Sequence, residues 1–197
     1  MAKQMKKRIP VIVLVCEGRN KTERKYFNHF VTRDALYKLI ISDCEATDVE
    51  SMAKKTIQLY KHYELSKKNN DHAFCLIDLD MKSEKYNKLL ELKTKYKNIE
   101  FIVSNPCFEV WFLYHMEKYP KKFSSSQKVK EYMSKYITNY EESMDVYSIL
   151  QLEDKFLIAI NNSVLKNEMY NEELSIIDRN PYTTIQDVVD LLIKLNG

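Results

Sequence analysis

Carboxylate side chains stand where three apolar segments of this chain end. Glu17 follows the first segment directly, Asp78 and Asp80 follow the third, and Glu109 comes shortly after the fourth. In an open α/β sheet the carboxyl ends of the strands meet at one edge, so we expect these acids to share a site there. Asp78 and Asp80 are two residues apart, and in an extended segment such residues point the same way.

A cluster of this kind calls for a cation. Two carboxylates about 4 Å apart repel by roughly 4 kcal/mol at an effective dielectric constant of 20, so several of them stay ionised together only beside a positive charge. Ligation by oxygen alone favours Mg²⁺ or Mn²⁺ over zinc. Each motif taken alone also has a plainer interpretation, because Asp-x-Asp after a strand is often a solvated turn with helix-capping acids.

Glycine is scarce, and the two glycines are Gly18 and Gly197. This excludes G-x-G-x-x-G dinucleotide loops and the P-loop, both of which need glycines a few residues apart. Gly18 directly follows Glu17. It therefore indicates a positive φ at that point, or the close approach of a phosphate or a metal-bound water to the backbone.

A lysine-rich stretch with interleaved tyrosines runs from Lys118 to Lys135. Such a stretch suits the backbone of a nucleic acid. The whole chain is rich in Lys, Asn, Tyr and Ile, however, so the signal is weak. The four histidines show no familiar catalytic spacing to a cysteine or to each other, which leaves a Cys or Ser hydrolase without support.

The apolar segments alternate with helical patterns. Val- and Ile-rich continuous runs are typical of strands buried on both faces of a parallel sheet, and strand–helix alternation predicts a doubly wound α/β fold. We expect an α/β core at residues 1–118 and a helical C-terminal extension at 119–197 that packs on it as one unit. The predicted strands are Ile9–Cys16, Leu39–Asp43, Ala73–Ile77 and Ile99–Val103.

The composition sets further bounds. A chain of 197 residues is long enough for one domain with its own core, and a net charge of +3 is too small for a polycationic binder. The four cysteines form no C-x-x-C pair, which favours buried thiols of a reducing compartment. No segment approaches the roughly 18 apolar residues of a membrane span, so a cytoplasmic protein without membrane contact is expected.

Four segments together resemble one known family. They are VIVLVCEGRNKTE at Val11–Glu23 with Tyr26-Phe27, LIDLD at Leu76–Asp80, SNPCFEVWFLYH at Ser104–His115 and NPYTT at Asn180–Thr184. In type and order they are similar to the motifs of the RloB family, a Toprim-like group linked to abortive phage infection and restriction loci that includes the AbiLii-type proteins. Met81 stands where that family often has a third acid.

The resemblance implies a Toprim-like fold, with a mainly parallel four-stranded sheet sandwiched by helices. It implies that Glu17, Asp78 and Asp80 are catalytic, with Glu17 as general acid/base or metal ligand and the two aspartates as ligands of Mg²⁺ or Mn²⁺. It makes Glu23 and Glu109 candidates for a second metal ion, and it implies no organic cofactor.

Phosphate contacts are expected from residues beside these acids. The expected residues are Gly18, Arg19, Lys21, Lys82 and Asn105.

The function implied by the resemblance is that of a Mg²⁺-dependent Toprim-type nuclease that hydrolyses DNA or RNA as an effector of antiphage defence. An ABC-type ATPase encoded nearby is the implied partner. The main alternative is a catalytically silent Toprim-like subunit that binds nucleic acid or regulates the ATPase, which Met81 mildly favours. A nucleotidyl or phosphoryl transferase using the same acids is a third interpretation. A topoisomerase is disfavoured, because no second domain supplies a strand-cleaving tyrosine.

Overall fold

The computed structural model describes residues 8–17, 22–45, 47–142 and 144–197. Five strands form one sheet: β1 (Val11–Glu17), β2 (Lys38–Cys44), β3 (His72–Asp78), β4 (Glu100–Asn105) and β5 (Tyr182–Thr183). The described helices are α1 (Thr22–Asn28), α2 (Val49–His62), α3 (Ser83–Lys95), α4 (Glu109–Met116), α5 (Ser126–Met133), α6 (Val146–Leu150), α7 (Phe156–Glu168) and α8 (Ile185–Asn196).

The sheet has the order β2-β1-β3-β4-β5, and its first four strands are parallel. This confirms the α/β prediction and all four predicted strands. Because β1 and β3 are neighbours, Glu17 and Asp78, the last residues of these strands, lie at the same edge.

The prediction of a four-stranded sheet is wrong, because a fifth strand, β5, lies within the predicted helical extension. β5 pairs antiparallel with the end of β4, with Ser104 opposite Thr183 and Asn105 opposite Tyr182. A strand of two residues is too short to show the alternation by which strands are recognised in a sequence.

Both faces of the sheet are covered by helices, as predicted. On one face Val13 and Val15 pack in a cluster with residues of α2 and α3. On the other face Ile12 and Leu14 belong to a cluster that reaches α1, α4, α5, α7 and α8. Residues after position 118 therefore share a core with β1.

Two expectations from composition also have counterparts in the structure. All four cysteines are buried free thiols. None of the helices in the described ranges combines the length and the apolar character that crossing a bilayer requires.

Candidate active site

The five predicted acids meet at one cavity of about 150 Å³ at the carboxyl edge of the sheet. Glu17 and Asp78 end strands and Asp80 lies in the turn after β3, whereas Glu23 lies in the first turn of α1 and Glu109 is the first residue of α4. The lining residues are Glu17, Thr22, Glu23, Asp78, Asp80, Cys107, Phe108, Glu109 and Lys130. The convergence expected from the sequence is therefore present.

Asp80 reaches the cavity from a turn rather than from a strand. β3 ends at Asp78, and φ is +50° at Asp80 and +59° at Met81. Two successive residues in the left-handed region cost roughly 1–2 kcal/mol each, so the surroundings must hold them. The N–H of Asp80 donates to the carbonyl of Pro106 at 2.8 Å. The expectation that Asp80 continues an extended alternation is wrong, although its side chain still faces the cavity.

Asn105 holds the same turn. It is fully buried, and its Oδ1 accepts from the N–H of Met81 at 3.2 Å. Its Nδ2 donates to the carbonyls of Ile177 and Arg179, both at 2.9 Å. The amide thus positions the acidic turn against the C-terminal region. The phosphate contact expected of Asn105 stays a prediction.

A lysine that the sequence analysis did not identify lies between two of the acids. The Nζ of Lys85 donates to Asp80 Oδ2 at 2.8 Å and to the carbonyl of Asp78 at 2.9 Å, and it lies 3.5 Å from Glu17 Oε1. Its side chain is only 18% exposed. The ammonium group therefore stands where a cation between Glu17 and Asp80 would stand.

The two acids beside Lys85 have pKa values that shift in opposite directions. Burial by itself would raise the pKa of Asp80, but the hydrogen bonds from Lys85 and from Ser126 Oγ, the latter at 2.7 Å, outweigh it and lower that pKa. For Glu17 burial is the larger effect, so its pKa is raised despite Lys85. Burial would lower the pKa of Lys85, but Asp80 and Glu17 raise it, so the ammonium stays charged.

Two of the remaining acids, Glu23 and Asp78, lack such compensation. Burial, together with the nearby charges of Glu109 and Glu17, raises the pKa of Glu23 to about 8. Burial, and then Glu23 and Glu109, raise the pKa of Asp78 well above its usual range. In the described ranges no Lys or Arg nitrogen lies within 4.0 Å of the carboxylate of Glu23 or Asp78. Burial and crowding therefore favour the neutral forms of both groups, and a bound cation would favour the ionised forms.

Two further polar groups stand beside Glu109. The hydroxyl of Tyr140 donates to Glu109 Oε1 at 3.0 Å. Lys130 lines the cavity and forms an ion pair with Glu142. Burial would lower the pKa of Lys130, but Glu109 and Glu142 raise it, so this lysine brings a fixed positive charge to the cavity.

The acids are gathered but not closed around one point. In the part of the chain that the structure describes, no three His, Cys, Asp or Glu side chains are arranged as a ready metal site. The donor chemistry nevertheless suits a hard divalent cation, because all five acids offer oxygen. The neighbouring thiol of Cys107 is kept protonated, since burial, followed by Glu109 and Asp78, raises its pKa.

Of the other four residues predicted to contact phosphate, one lies in the described part of the chain. Gly18, Arg19 and Lys21 lie outside the described residues. Lys82 has a side chain that is 61% exposed, with its Nζ 3.9 Å from Asp80 Oδ2, so it lies near the acidic turn and remains open to solvent.

The local sequence around Lys85 and Lys130 signals their roles only weakly. Lys85 lies in the first turn of α3, just after the acidic turn, but that helix carries several other lysines. Lys130 belongs to the lysine-rich stretch, and its spacing of four residues from Ser126 puts both on one face of α5. Knowing that this face meets Asp80 requires the tertiary structure.

Comparison with known protein families gives one match. The model of the RloB-like protein family matches residues 12–192, which is most of the chain and includes every acid of the cavity. Comparison with curated proteins and with solved structures found no significant match. The match extends from β1 to α8 and covers all four segments that carry the resemblance, so the chain belongs to the RloB-like family.

Proposed function

We propose that this protein is a divalent-metal-dependent nuclease of Toprim-like type that hydrolyses phosphodiester bonds in DNA or RNA. The observation that carries the proposal is the convergence of five carboxylates from separate segments on one small cavity, with Glu23 and Asp78 lacking a cationic partner in the described residues. Such an arrangement costs free energy of folding, because buried carboxyl groups without partners are unfavourable. A requirement for cation binding explains why it is present.

Glu17, Asp78 and Asp80 would hold a Mg²⁺ or Mn²⁺ ion, and Glu23 and Glu109 a second. These residues would hold an ion that, when bound, would supply an activated water and stabilise negative charge on the reacting phosphate. Glu17 has a raised pKa at the cavity wall, which suits a group that takes up and returns a proton. Lys130 provides a positive charge for a substrate phosphate that enters the cavity.

The biological role follows from family membership by analogy. We propose that the nuclease acts in the cytoplasm as an effector of antiphage defence or abortive infection. A partner ATPase of ABC type would sense infection and restrain or release the activity. The absence of a glycine-rich nucleotide loop in the sequence is consistent with a subunit that depends on a separate ATPase.

A second candidate function has its own observation. The Lys85 ammonium stands between Glu17 and Asp80, and the described acids form no ready metal site. A catalytically silent subunit that binds nucleic acid or regulates the ATPase would retain the fold and need no metal. The two functions differ in whether a divalent ion binds at the acids.

The decisive experiment combines cleavage with metal binding. The purified chain, with and without its neighbouring ATPase, is incubated with plasmid DNA and with total tRNA in Mg²⁺ or Mn²⁺. We expect cleavage that Glu17→Gln with Asp78→Asn reduces to background. The matched control is Glu50→Gln with Asp190→Asn, which alters two surface acids that form ion pairs with lysines and do not line the cavity.

Titration with Mn²⁺, followed by calorimetry, separates the alternatives. Saturable binding that the double variant loses and the control keeps supports the nuclease. Cleavage that persists in the double variant contradicts the assignment of the site. Nucleic-acid binding without any metal binding or cleavage favours the silent subunit.

A further inference from the structure

A second cavity, of about 330 Å³, lies beside α5 and is lined by lysines and aromatic rings. We call it the lysine groove and define it by Lys121, Lys122, Lys128, Phe123 and Tyr132. Lys128 forms an ion pair with Glu131 at 2.6 Å. Within the described ranges, Lys121 and Lys122 have no carboxylate within 4.0 Å, and both are exposed. The groove therefore carries two uncompensated positive charges.

The aromatic rings of the groove lie against one of its lysines. The Nζ of Lys121 lies 4.5 Å from the ring centroid of Tyr132, and the rings of Tyr132 and Phe123 meet edge to face at 5.4 Å. Grooves that combine lysines with aromatic faces are typical of proteins that follow a nucleic-acid strand without reading its sequence.

The floor of the groove is held by the Asn180-Pro-Tyr-Thr-Thr184 segment, whose role the acidic cavity leaves unexplained. Asn180 is 6% exposed, and its Nδ2 donates to the carbonyl of Phe123 at 2.6 Å. Its Oδ1 accepts from the N–H of Phe123 at 3.2 Å. Both backbone groups of Phe123 are thus fixed by one buried amide, so the groove is preformed rather than a chance arrangement of surface side chains.

One helix separates the lysine groove from the acidic cavity. Ser126 of α5 bonds to Asp80 and Lys130 lines the acidic cavity, whereas Lys128 and Tyr132 line the groove. An α-helix with its side chains is about 10–12 Å wide. The two sites therefore lie on opposite sides of one helix, within reach of a single strand that crosses it.

We propose that the lysine groove binds the sugar-phosphate backbone of a nucleic-acid strand, next to the part of that strand whose phosphate is held at the acidic cavity. The position next to a reacting phosphate rests on the proposed function. Binding at the groove needs no metal ion, so the groove proposal and the nuclease proposal can be tested independently.

The test measures binding in EDTA, where metal-dependent cleavage is silent. A fluorescein-labelled single-stranded oligonucleotide is titrated with the full chain and its anisotropy is recorded between 50 and 200 mM salt. Lys121→Gln with Lys122→Gln should weaken binding about 10- to 30-fold at 0.1 M salt and reduce the salt slope by roughly 1.4, because each phosphate contact to a single strand contributes about 0.7.

The matched control is Lys67→Gln with Lys68→Gln. These lysines are exposed and precede β3, so they lie at the opposite edge of the sheet and carry the same charge change. The control should bind as the unaltered chain does, and thermal unfolding should be the same for all three proteins.

Equal weakening by both double variants would show that only net charge matters and would overturn the proposal. So would the absence of binding by the unaltered chain, or a groove variant that binds the oligonucleotide normally and loses only the ATPase. Weakened binding by the groove variant alone, even in a chain that never cleaves, supports the groove and leaves the nuclease to its own test.

Discussion

Buried acids at the two edges of the sheet differ in whether they have a cationic partner. At the edge where the strands begin, Asp71 is 3% exposed and accepts from Arg8 Nη2 at 3.0 Å and from the N–H groups of Val11 at 2.8 Å and Ser66 at 3.0 Å. At the other edge, Glu23 is 7% exposed and has no cationic side chain within 4.0 Å in the described residues.

The difference distinguishes a buried acid that stabilises the fold from buried acids that destabilise it. Asp71 joins the start of β1 to the loop before β3 through an ion pair and two backbone hydrogen bonds. Glu23 and Asp78 crowd each other, and burial favours their neutral forms. Burial of an acid therefore says little about function by itself. A buried acid without a cationic partner marks a candidate functional site.

Asp78→Asn tests this contrast with the largest expected effect. The proposed nuclease activity should fall by at least about 10³-fold, because the proposed metal ligand is lost. The free energy of unfolding at pH 8 should stay the same or rise, since an unpartnered buried carboxyl is replaced by a neutral amide. Cleavage assays and urea unfolding measure the two effects. A clear loss of stability would mean that Asp78 serves the fold as Asp71 does.

Asp71→Ala should have the opposite profile. It leaves a guanidinium and two N–H groups without their acceptor, so the free energy of unfolding should fall by about 3 kcal/mol. Activity per folded molecule should be retained. Asp48→Ala, which removes the N-cap of α2, is the matched control and should cost only about 1 kcal/mol. Equal losses in the two variants would contradict the structural role of Asp71.

The pH dependence of stability probes Glu23. Its pKa is about 8 in the folded chain and near 4.5 in the unfolded chain, so the folded state binds the extra proton between these values. The stabilising contribution is fully present below about pH 4.5 and is lost as pH rises toward 8, at about 1.4 kcal/mol per pH unit.

Glu23→Gln should remove this part of the pH slope, so the variant gains stability over the unaltered chain as pH rises. Urea unfolding at several pH values between 5 and 8 measures the difference. Saturating Mn²⁺ should shrink it, because the ion replaces the proton. Parallel pH profiles for the two proteins would show that Glu23 ionises normally.

Lys85→Met sharpens the comparison within the cavity and has the smallest expected effect. Removing the ammonium leaves Glu17 and Asp80 without their internal cation, so Mn²⁺ should bind about tenfold more tightly, which corresponds to about 1.4 kcal/mol. Lys88→Met, which alters a lysine paired with Glu50 and Glu91, should leave the affinity unchanged. Weaker binding in Lys85→Met would show that the lysine supports the metal site instead of competing for it.

Much of this architecture is predictable from local sequence. The four parallel strands are continuous apolar runs, and reading the residue at the end of each run finds Glu17 and Asp78 directly. Family resemblance adds Glu23, and the cavity contains all of these.

The remainder depends on contacts between distant segments. Asp80 leaves the extended conformation because the chain around Pro106 holds its N–H, which no local pattern reports. The two-residue strand β5 has no periodicity of its own. Lys85 resembles every other lysine of α3 until its neighbours are known.

The amide of Asn105 has a consequence for the cooperativity of the molecule. It links Met81, beside the acids, to the backbone at Ile177 and Arg179, almost a hundred residues later in the chain. Local opening of that distal segment would release the turn that carries Asp80, so the two belong to one unfolding unit. The amides of Asp80 and Met81 should therefore be protected against hydrogen exchange to a similar degree. Both should lose that protection when the chain is cut near Ile177.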